Sequence, residues 1–170
     1  MAEVEYPVFV MCLDSDDQDL KTWYQERIVE HNEHVLTDPY PNSGFDLATP
    51  EDITILPTIQ TTKVSTKVKG IMTHYGSKKC MGYYMYPRSS LAKTPLVLSN
   101  HVGVIDSGYR GPLTGAFRNL DTKEFILEKK SRQLQICHPN LSPFLVKMVA
   151  TEQELGETSR GEGGFGSTGN

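Results

Sequence analysis

The segment Thr62-Lys-Val-Ser-Thr-Lys-Val-Lys69 decides the fold class, because apolar or β-branched side chains alternate in it with charged and polar ones. Successive side chains of a β-strand point to opposite faces, so an alternation of period two gives one dry face and one wet face. We therefore expect one half-exposed strand across the whole segment. Val64, Thr66 and Val68 turn inward in it, and the lysines turn toward solvent.

Short apolar runs bounded by turn residues occur on both sides of this segment. They predict strands at Pro7–Leu13, Ile53–Leu56, Cys80–Tyr86, Pro95–Ser99, Leu113–Asn119, Phe125–Glu128, Gln133–Cys137 and Pro143–Ala150. A single amphipathic helix is predicted over 15–33, with Ser15 and Gln18 as its capping box. Many short strands with one helix indicate an all-β sandwich or barrel.

The composition is that of a soluble intracellular protein. The chain has 170 residues, enough for one domain with a core, and a formal net charge of -4. A nucleic-acid-binding protein normally displays a large basic excess, so nucleic acid is not expected as a partner. No apolar run is long enough to span a bilayer, and the first residues lack the pattern of a signal peptide. Three cysteines without a CxxC pair suit a reducing compartment, the cytoplasm or the nucleus.

The segment Asn100-His-Val-Gly-Val-Ile-Asp-Ser-Gly-Tyr-Arg-Gly111 joins an apolar strand to a turn. Val102, Val104 and Ile105 predict a buried strand end, and the turn that begins at Asp106 holds a carboxylate in a fixed position. Such a carboxylate can act as a general base, or it can simply hydrogen-bond the backbone of its own turn. The segment alone leaves both interpretations open.

The last residues, Arg160-Gly-Glu-Gly-Gly-Phe-Gly-Ser-Thr-Gly-Asn170, are rich in glycine. Ordering such a segment without a ligand costs much conformational entropy, so a disordered linker is one interpretation. The alternative is an arm that closes on a ligand, with Phe165 stacked on a planar ring. Arg160, Ser167, Thr168 and backbone N–H groups then bind phosphates.

Pro87-Arg-Ser-Ser-Leu-Ala92, Asn100–Gly111 and Arg160–Gly169 follow one another in the order and with the spacing of three known sequence motifs. With them the chain resembles the trimeric dUTPase family, the deoxyuridine 5'-triphosphate nucleotidohydrolases. They correspond to the second, third and fifth motifs of that family.

The first and fourth motifs are shorter. Gly44-Phe-Asp-Leu-Ala48 is similar to the first motif, and Arg132 with Gln135 keeps the spacing of the fourth. Ser131 stands where the family usually has an aspartate, so the fourth motif diverges.

The resemblance implies a dUTPase-like β-clip or jelly-roll-type barrel over residues 1–150, with one additional amino-terminal helix at 15–33. It also implies that residues 151–170 form a flexible glycine-rich arm that completes the active site. In the family this arm reaches another subunit and each site draws motifs from three chains. A homotrimer with shared active sites is therefore implied.

The same resemblance assigns roles to single residues. Asp106 is the general base that activates a water for in-line attack on the α-phosphorus of dUTP, releasing dUMP and pyrophosphate. Tyr109 packs on the deoxyribose, and the turn at Asn100 reads the uracil. The other implied substrate-binding residues are Arg88, Ser89, Ser90, Gly103, Val104, Gln135, Arg160, Phe165, Gly166, Ser167 and Thr168. Mg²⁺ is the implied cofactor, and Asp46 touches it indirectly, through water.

Such an enzyme keeps uracil out of DNA and supplies dUMP for thymidylate synthesis, but two other functions compete with it. A dCTP deaminase shares this fold, yet no catalytic glutamate motif accompanies Arg88. A catalytically weak or silent regulatory module is expected to lack Asp106, Tyr109 or Phe165, and all three are present. The added helix and the divergent fourth motif keep the regulatory interpretation open.

Overall fold

The computed structural model describes residues 5–74, 77 and 79–164, and much of this backbone is β-strand. The strands are β1 (Val8–Leu13), β2 (Gly44–Leu47), β3 (Ile53–Ile55), β4 (Thr62–Ser65), β5 (Val68–Thr73), β6 (Cys80–Met81), β7 (Tyr83–Pro87), β8 (Leu96–Leu98), β9 (Gly103–Ile105), β10 (Thr114–Asn119), β11 (Phe125–Leu127), β12 (Leu134–Cys137) and β13 (Leu145–Val149). The long helix α1 spans Gln18–Thr37, and short 3-10 segments span Ser89–Lys93 and Glu152–Leu155.

Within these ranges the strands form small sheets with the orders β13-β1-β5-β6, β4-β10-β8, β11-β3 and β2-β12-β7-β9. They enclose an apolar core that includes the fully buried Phe9, Phe117 and Phe144. This arrangement confirms the expected all-β fold with one added helix. Across the residues that the structure covers, no helix combines the length and the apolar character needed to cross a membrane.

The segment 62–69, predicted as one strand, forms parts of two strands, β4 and β5, with a break at Thr66 and Lys67. Lys67 has a φ of 62°, in the left-handed region, and this conformation interrupts a strand. The Thr66 hydroxyl donates to the carbonyl of Leu113 at 2.9 Å, and this buried hydrogen bond stabilises the backbone at the break. The predicted alternation is therefore wrong beyond the break, where Lys69 is buried.

Helix α1 begins at Gln18, and Asp17 rather than the predicted Ser15 is its N-cap. The Asp17 carboxylate accepts two backbone N–H groups of the first turn, at 3.0 and 3.1 Å. A carboxylate also complements the positive end of the helix better than a serine hydroxyl does. The helix continues to Thr37, past the predicted range of 15–33.

Side-chain hydrogen bonds fix α1 on the β-structure. The backbone N–H of Ala48 donates to the Tyr24 hydroxyl at 2.9 Å, and both residues are buried. Farther along the helix, the Asn32 amide donates to the carbonyl of Val146 at 2.9 Å and accepts from its N–H at 2.8 Å. Trp23, next to Tyr24 in α1, also packs against the core. The helix is thus an integral part of the domain.

Replacing Tyr24 with phenylalanine leaves the buried N–H of Ala48 without its acceptor. An unsatisfied buried donor costs about 1–3 kcal/mol, so we predict that Tyr24→Phe lowers the free energy of unfolding by that amount. Tyr40 is the matched control, because this residue is 89% exposed and the same substitution there leaves stability unchanged. Urea denaturation measures both variants, and equal stabilities would contradict the role of Tyr24 as an anchor.

Candidate active site

Strand β9 positions Asp106 at the entrance of a cavity. It pairs antiparallel with β7, with Ile105 opposite Tyr83, and Asp106 follows directly. The predicted turn is present, closed by the Tyr109 N–H, which donates to the Asp106 carbonyl at 3.0 Å. Because β9 is the last strand of its sheet, its end is not buried as expected, and Val104 is 68% exposed.

A cavity of about 170 Å³ opens beside this carboxylate. Its lining contains the predicted residues Asn100, Gly103, Val104, Asp106, Tyr109 and Arg160. It also contains Met85, Leu113 and Thr114, which lie outside the motifs, and Ile105 and Gly164, which lie inside them without an assigned role. Met85 and Leu113 are buried core residues that only the tertiary fold brings to the cavity wall, so no local sequence signal identifies them.

Arg160 forms an ion pair with Asp106. Its Nη1 lies 2.8 Å from Asp106 Oδ2, and the two side chains are 35% and 51% exposed. Such a partly solvated pair adds little stability, but it holds a cationic donor beside the carboxylate. The structure therefore brings together two predicted residues, a candidate base and a candidate anion-binding group.

The Tyr109 ring forms one wall of the cavity. Its hydroxyl donates to the carbonyl of Pro112 at 3.0 Å, and burial raises the pKa of this hydroxyl, so it stays neutral. Gly111 lies against the ring, and a Cβ at this position would be only 2.7 Å from the Tyr109 Cζ. The glycine is therefore required for the position of the ring.

We predict that Gly111→Ala displaces the Tyr109 ring and destabilises the protein by about 1–3 kcal/mol, the usual cost of overpacking. Gly108→Ala is the control, because a Cβ there meets its nearest neighbour, the Arg160 Cβ, at an ordinary distance of 3.6 Å. Thermal unfolding compares the two variants. An unchanged melting temperature for Gly111→Ala would show that the ring can move without penalty.

A second group of predicted residues lies in a larger cleft, of about 660 Å³, between α1 and the ends of β2, β7 and β12. The Nε of Arg88 lies 2.7 Å from Asp46 Oδ1, and the Nη1 of Arg132 lies 3.2 Å from Asp46 Oδ2. Ser89 and Gln135 line the same cleft. We call these five residues the arginine cluster, since two guanidinium groups dominate it.

The arginine cluster is held by further hydrogen bonds. Burial raises the pKa of Asp46, although the neighbouring guanidinium groups favour its charged form. Ser90, predicted to bind substrate, does not line the cleft, and its hydroxyl accepts from the Nη1 of Arg88 at 3.4 Å. The Gln135 amide donates to the carbonyl of Pro87 at 3.2 Å. The side chains of Asp46, Arg88, Arg132 and Gln135 are thus oriented by ion pairs and hydrogen bonds.

Helix α1 forms one wall of this cleft through Arg27, Glu30, His31 and His34, which the motifs did not indicate. Arg27 Nη2 lies 2.7 Å from Glu30 Oε1, and His31 Nε2 donates to the carbonyl of Phe144 at 2.9 Å. These residues are three or four positions apart, which places their side chains on one face of a helix. This spacing is the feature of the sequence from which the wall could have been predicted. Only the position of α1 in the folded structure shows that this face borders the cleft.

Ser131, which replaces the usual aspartate of the fourth motif, is tied to the end of β2. Its hydroxyl lies 3.0 Å from the Thr49 hydroxyl, and its carbonyl accepts from the Thr49 N–H at 2.9 Å. It lines neither the Asp106 cavity nor the cleft. A neutral side chain at this position therefore has a structural role.

The Asp106 cavity and the cleft share no lining residue. From β7, Met85 lines the cavity and Tyr86 lines the cleft, and successive side chains of a strand point to opposite faces of the sheet. The register with β9 places Asp106 beside Gly82, just before β7, whereas Arg88 follows the last residue of β7. At about 3.3 Å per residue, the intervening stretch of about six residues separates the two by about 20 Å. Asp106 and the arginine cluster therefore lie at two separate places on one chain.

Four predicted residues, Phe165, Gly166, Ser167 and Thr168, lie outside the described part of the chain. Among the residues that are described, no group of three or more His, Cys, Asp or Glu side chains is arranged to hold a metal ion. A metal at the arginine cluster would therefore take most of its ligands from a bound molecule or from water.

Comparisons with known proteins agree with the motifs. The dUTPase family model matches residues 32–169, beginning near the end of α1. A deoxyuridine 5'-triphosphate nucleotidohydrolase from Desulfitobacterium hafniense (strain DSM 10664 / DCB-2) is 38% identical over 130 residues, which cover 75% of this chain and 81% of the relative. One from Nautilia profundicola is 33% identical over 149 residues, covering 84% and 97%. The crystal structure of dUTPase from Streptococcus mutans matches with a TM-score of 0.51 and 27% identity, covering 68% of this chain and 91% of that one.

Proposed function

The chain belongs to the dUTPase family of dUTP diphosphatases, and we propose that it converts dUTP and water to dUMP and pyrophosphate. The observation that carries this proposal is the cavity at the end of β9, which combines an accessible carboxylate, a tyrosine ring and a guanidinium group. A base, a flat wall and an anion-binding group are suited to the hydrolysis of a nucleoside triphosphate.

Asp106 is the general base of the proposed reaction. Its carboxylate takes a proton from a water molecule while the water oxygen forms a bond to the α-phosphorus. The bond between that phosphorus and the bridging oxygen breaks, and pyrophosphate leaves. Arg160 pairs with the carboxylate, but the more highly charged triphosphate competes for the guanidinium, so that substrate binding releases the base.

The edge position of β9 supports selection for uracil. β9 has no strand partner on its outer side among the described residues, so the backbone N–H and C=O groups that face this side can bind a base. Gly103 and Val104 line the cavity there. Asn100 lines the same cavity. Cytosine presents a donor where uracil presents an acceptor, and mismatched polar groups left buried give strong discrimination.

The fixed ring of Tyr109 supports selection for deoxyribose. Gly111 and the carbonyl of Pro112 hold the ring against the cavity, so it has little freedom to retreat. A sugar packed on its face has no space for a 2'-hydroxyl, and ribonucleotides are excluded sterically.

The arginine cluster binds the phosphate chain in this proposal. Arg88, Ser89 and Gln135 contact the phosphates, with Arg132 beside them. Mg²⁺, the proposed cofactor, would neutralise charge on the phosphate oxygens and assist the departure of pyrophosphate. Both oxygens of Asp46 are engaged by arginines, so this residue fits contact with the metal through water and not as a direct ligand.

Asp106→Asn tests the proposed reaction, with dUTP and Mg²⁺ as reactants and pyrophosphate release as the readout. Loss of the general base lowers kcat by about 10²–10⁴-fold, while the similar size of asparagine preserves the fold. Asp38→Asn is the matched control, since Asp38 is an exposed residue just after α1, outside both cavities, and the variant keeps full activity. EDTA abolishes release by the unaltered protein, and excess Mg²⁺ restores it. No release by the folded unaltered protein would refute the enzyme and favour a regulatory module.

We infer a homotrimer with shared sites, the number three resting on resemblance to the trimeric family. The separation between Asp106 and the arginine cluster supports a site at which one dUTP binds groups of two chains. Exposed apolar side chains offer a surface for association. Leu56, Leu120 and Ile126 lie around Asn119, whose amide ties β10 to β3 with a hydrogen bond of 3.0 Å.

Mixed assemblies test the shared site. Asp106→Asn and Arg88→Ala chains are each inactive alone, because each variant lacks one half of every site. When equimolar chains are unfolded and refolded together, about one site in four joins an intact Asp106 to an intact Arg88, and about a quarter of full activity returns. Activity no higher than that of the separate variants would mean that the sites are not shared.

We place this activity in the cytoplasm or the nucleus. Cys12 and Cys137 are buried thiols, and cysteines are kept as thiols in reducing compartments. Burial raises the pKa of Cys137 to about 11, which keeps this thiol protonated and unreactive.

A further inference from the structure

Most of helix α1 lies outside the family pattern, yet the helix forms one wall of the cleft that contains the arginine cluster. The dUTPase family model begins at residue 32, whereas α1 begins at Gln18. Arg27 and Glu30 therefore precede the part of the chain that the family model matches, and both line the cleft. The family motifs assign no role to this wall, so its role follows from its own chemistry.

Contacts of α1 with its own domain fix the position of this wall. Leu20 and Tyr24 are fully buried, and His31 Nε2 donates to the carbonyl of Phe144 at 2.9 Å at the edge of the cleft. The His31 ring also packs against Phe45 and Phe144, with ring centroids 5.2 and 5.3 Å apart. These contacts join α1 to the core of one chain, so the wall keeps its position without a neighbouring subunit.

Arg27 is a cationic residue of this wall. Its Nη2 lies 2.7 Å from Glu30 Oε1, and its guanidinium carbon lies 6.0 Å from the centre of the Trp23 ring. A guanidinium group has five N–H donors in a planar fork. Among the described residues, none accepts a hydrogen bond from the buried Nε of Arg27. The guanidinium group is thus held in place and keeps donors available for a ligand.

Glu30 is a partner that an anionic ligand can displace. The side chains of Arg27 and Glu30 are 34% and 56% exposed, so solvent screens their ion pair and the pair adds little stability. A phosphate chain carries several negative charges, and its oxygens match the two-pronged geometry of a guanidinium group. A phosphate chain in the cleft therefore competes well with the Glu30 carboxylate for Arg27.

The charges of the whole cleft also suit a phosphate chain. Three arginines line it with only two carboxylates, in a chain whose formal net charge is -4. Asp46 already binds Arg88 and Arg132, so Arg27 supplies a further guanidinium group to the cleft. The cleft volume of about 660 Å³ accommodates several phosphate groups between the arginine cluster and α1.

We infer that Arg27 is a further substrate-binding residue, which binds the β- and γ-phosphates of dUTP beside the arginine cluster. In the proposed reaction the α-phosphorus lies next to Asp106, so the two outer phosphates are the ones that reach into the cleft. They leave together as pyrophosphate, and Arg27 therefore contacts the leaving group. The identity of the ligand rests on the proposed function, whereas the binding of a phosphate chain at α1 is a separate claim.

Isothermal titration calorimetry with Mg²⁺ and inorganic triphosphate, a ligand without a nucleoside, tests this claim. Arg27→Gln is expected to raise the Kd for inorganic triphosphate about tenfold, which corresponds to the loss of one hydrogen bond between charged groups. Lys21→Gln is the control, because it removes the same charge from an exposed position of α1 outside the cleft and leaves the Kd unchanged.

Glu30→Gln is expected to change the Kd in the opposite direction. It frees the Arg27 guanidinium and removes an anion from the cleft, so the Kd for inorganic triphosphate falls about two- to fivefold, the range for a solvent-exposed ion pair. Glu26→Gln is the matched control, since Glu26 is exposed on the same helix and does not line the cleft. A purely structural ion pair between Arg27 and Glu30 would not give changes of opposite sign.

Two nucleotides locate the contact on the substrate. For a dUTP analogue whose α–β bridge resists hydrolysis, Arg27→Gln raises the Kd by the same factor as for inorganic triphosphate. The Kd for dUMP, which lacks the outer phosphates, stays unchanged. Equal weakening of both nucleotides would place Arg27 away from the outer phosphates and overturn the inference.

Three further results would overturn it. They are an unchanged Kd of Arg27→Gln for inorganic triphosphate, no binding of this ligand by the unaltered protein, and an altered assembly size of Arg27→Gln, which would place Arg27 in a subunit contact. Arg27→Met, which keeps an unbranched side chain beside Trp23, replaces the glutamine variant if that variant does not fold. If inorganic triphosphate binds as expected but dUTP is not hydrolysed, the proposed function alone is refuted.

Discussion

The antiparallel pairing of β9 with β7 is the constraint on which the rest of the structure depends. It sets Asp106 at one end of β7, while Arg88 continues from the other end. Because a strand is extended, its length keeps these two groups apart within one chain. The same pairing leaves β9 at the edge of its sheet, with its outer side at the cavity. The pairing of β9 with β7 therefore explains both the distance between Asp106 and Arg88 and the exposed backbone of β9 at the proposed uracil pocket.

Helix α1 and the arm each complete one half of the divided site. The helix docks through Tyr24 and walls the cleft around Arg88. The arm, held by Lys69, brings Arg160 to Asp106. The Tyr24 hydroxyl and the Lys69 ammonium group are both buried, and the loss of a partner from a buried polar group is costly.

Local patterns predicted what local chemistry determines, namely most strand positions and the turn at Asp106. Lys69 was expected in solvent, because an alternating pattern carries no information about partners as distant along the chain as Glu152 and Glu162. The strand break at Lys67 was also missed, since a positive φ is uncommon for lysine and leaves no mark in the sequence. The ion pair between Arg160 and Asp106 likewise joins distant parts of the chain, so a glycine-rich composition could not reveal it.

A crystal structure with Mg²⁺ and a dUTP analogue whose α–β bridge resists hydrolysis tests the central claim most directly. The account predicts uracil on the backbone of Gly103, the α-phosphorus beside Asp106, and the phosphates on Arg88 of a neighbouring chain. A triphosphate bound by Asp106 and Arg88 of one chain would contradict it.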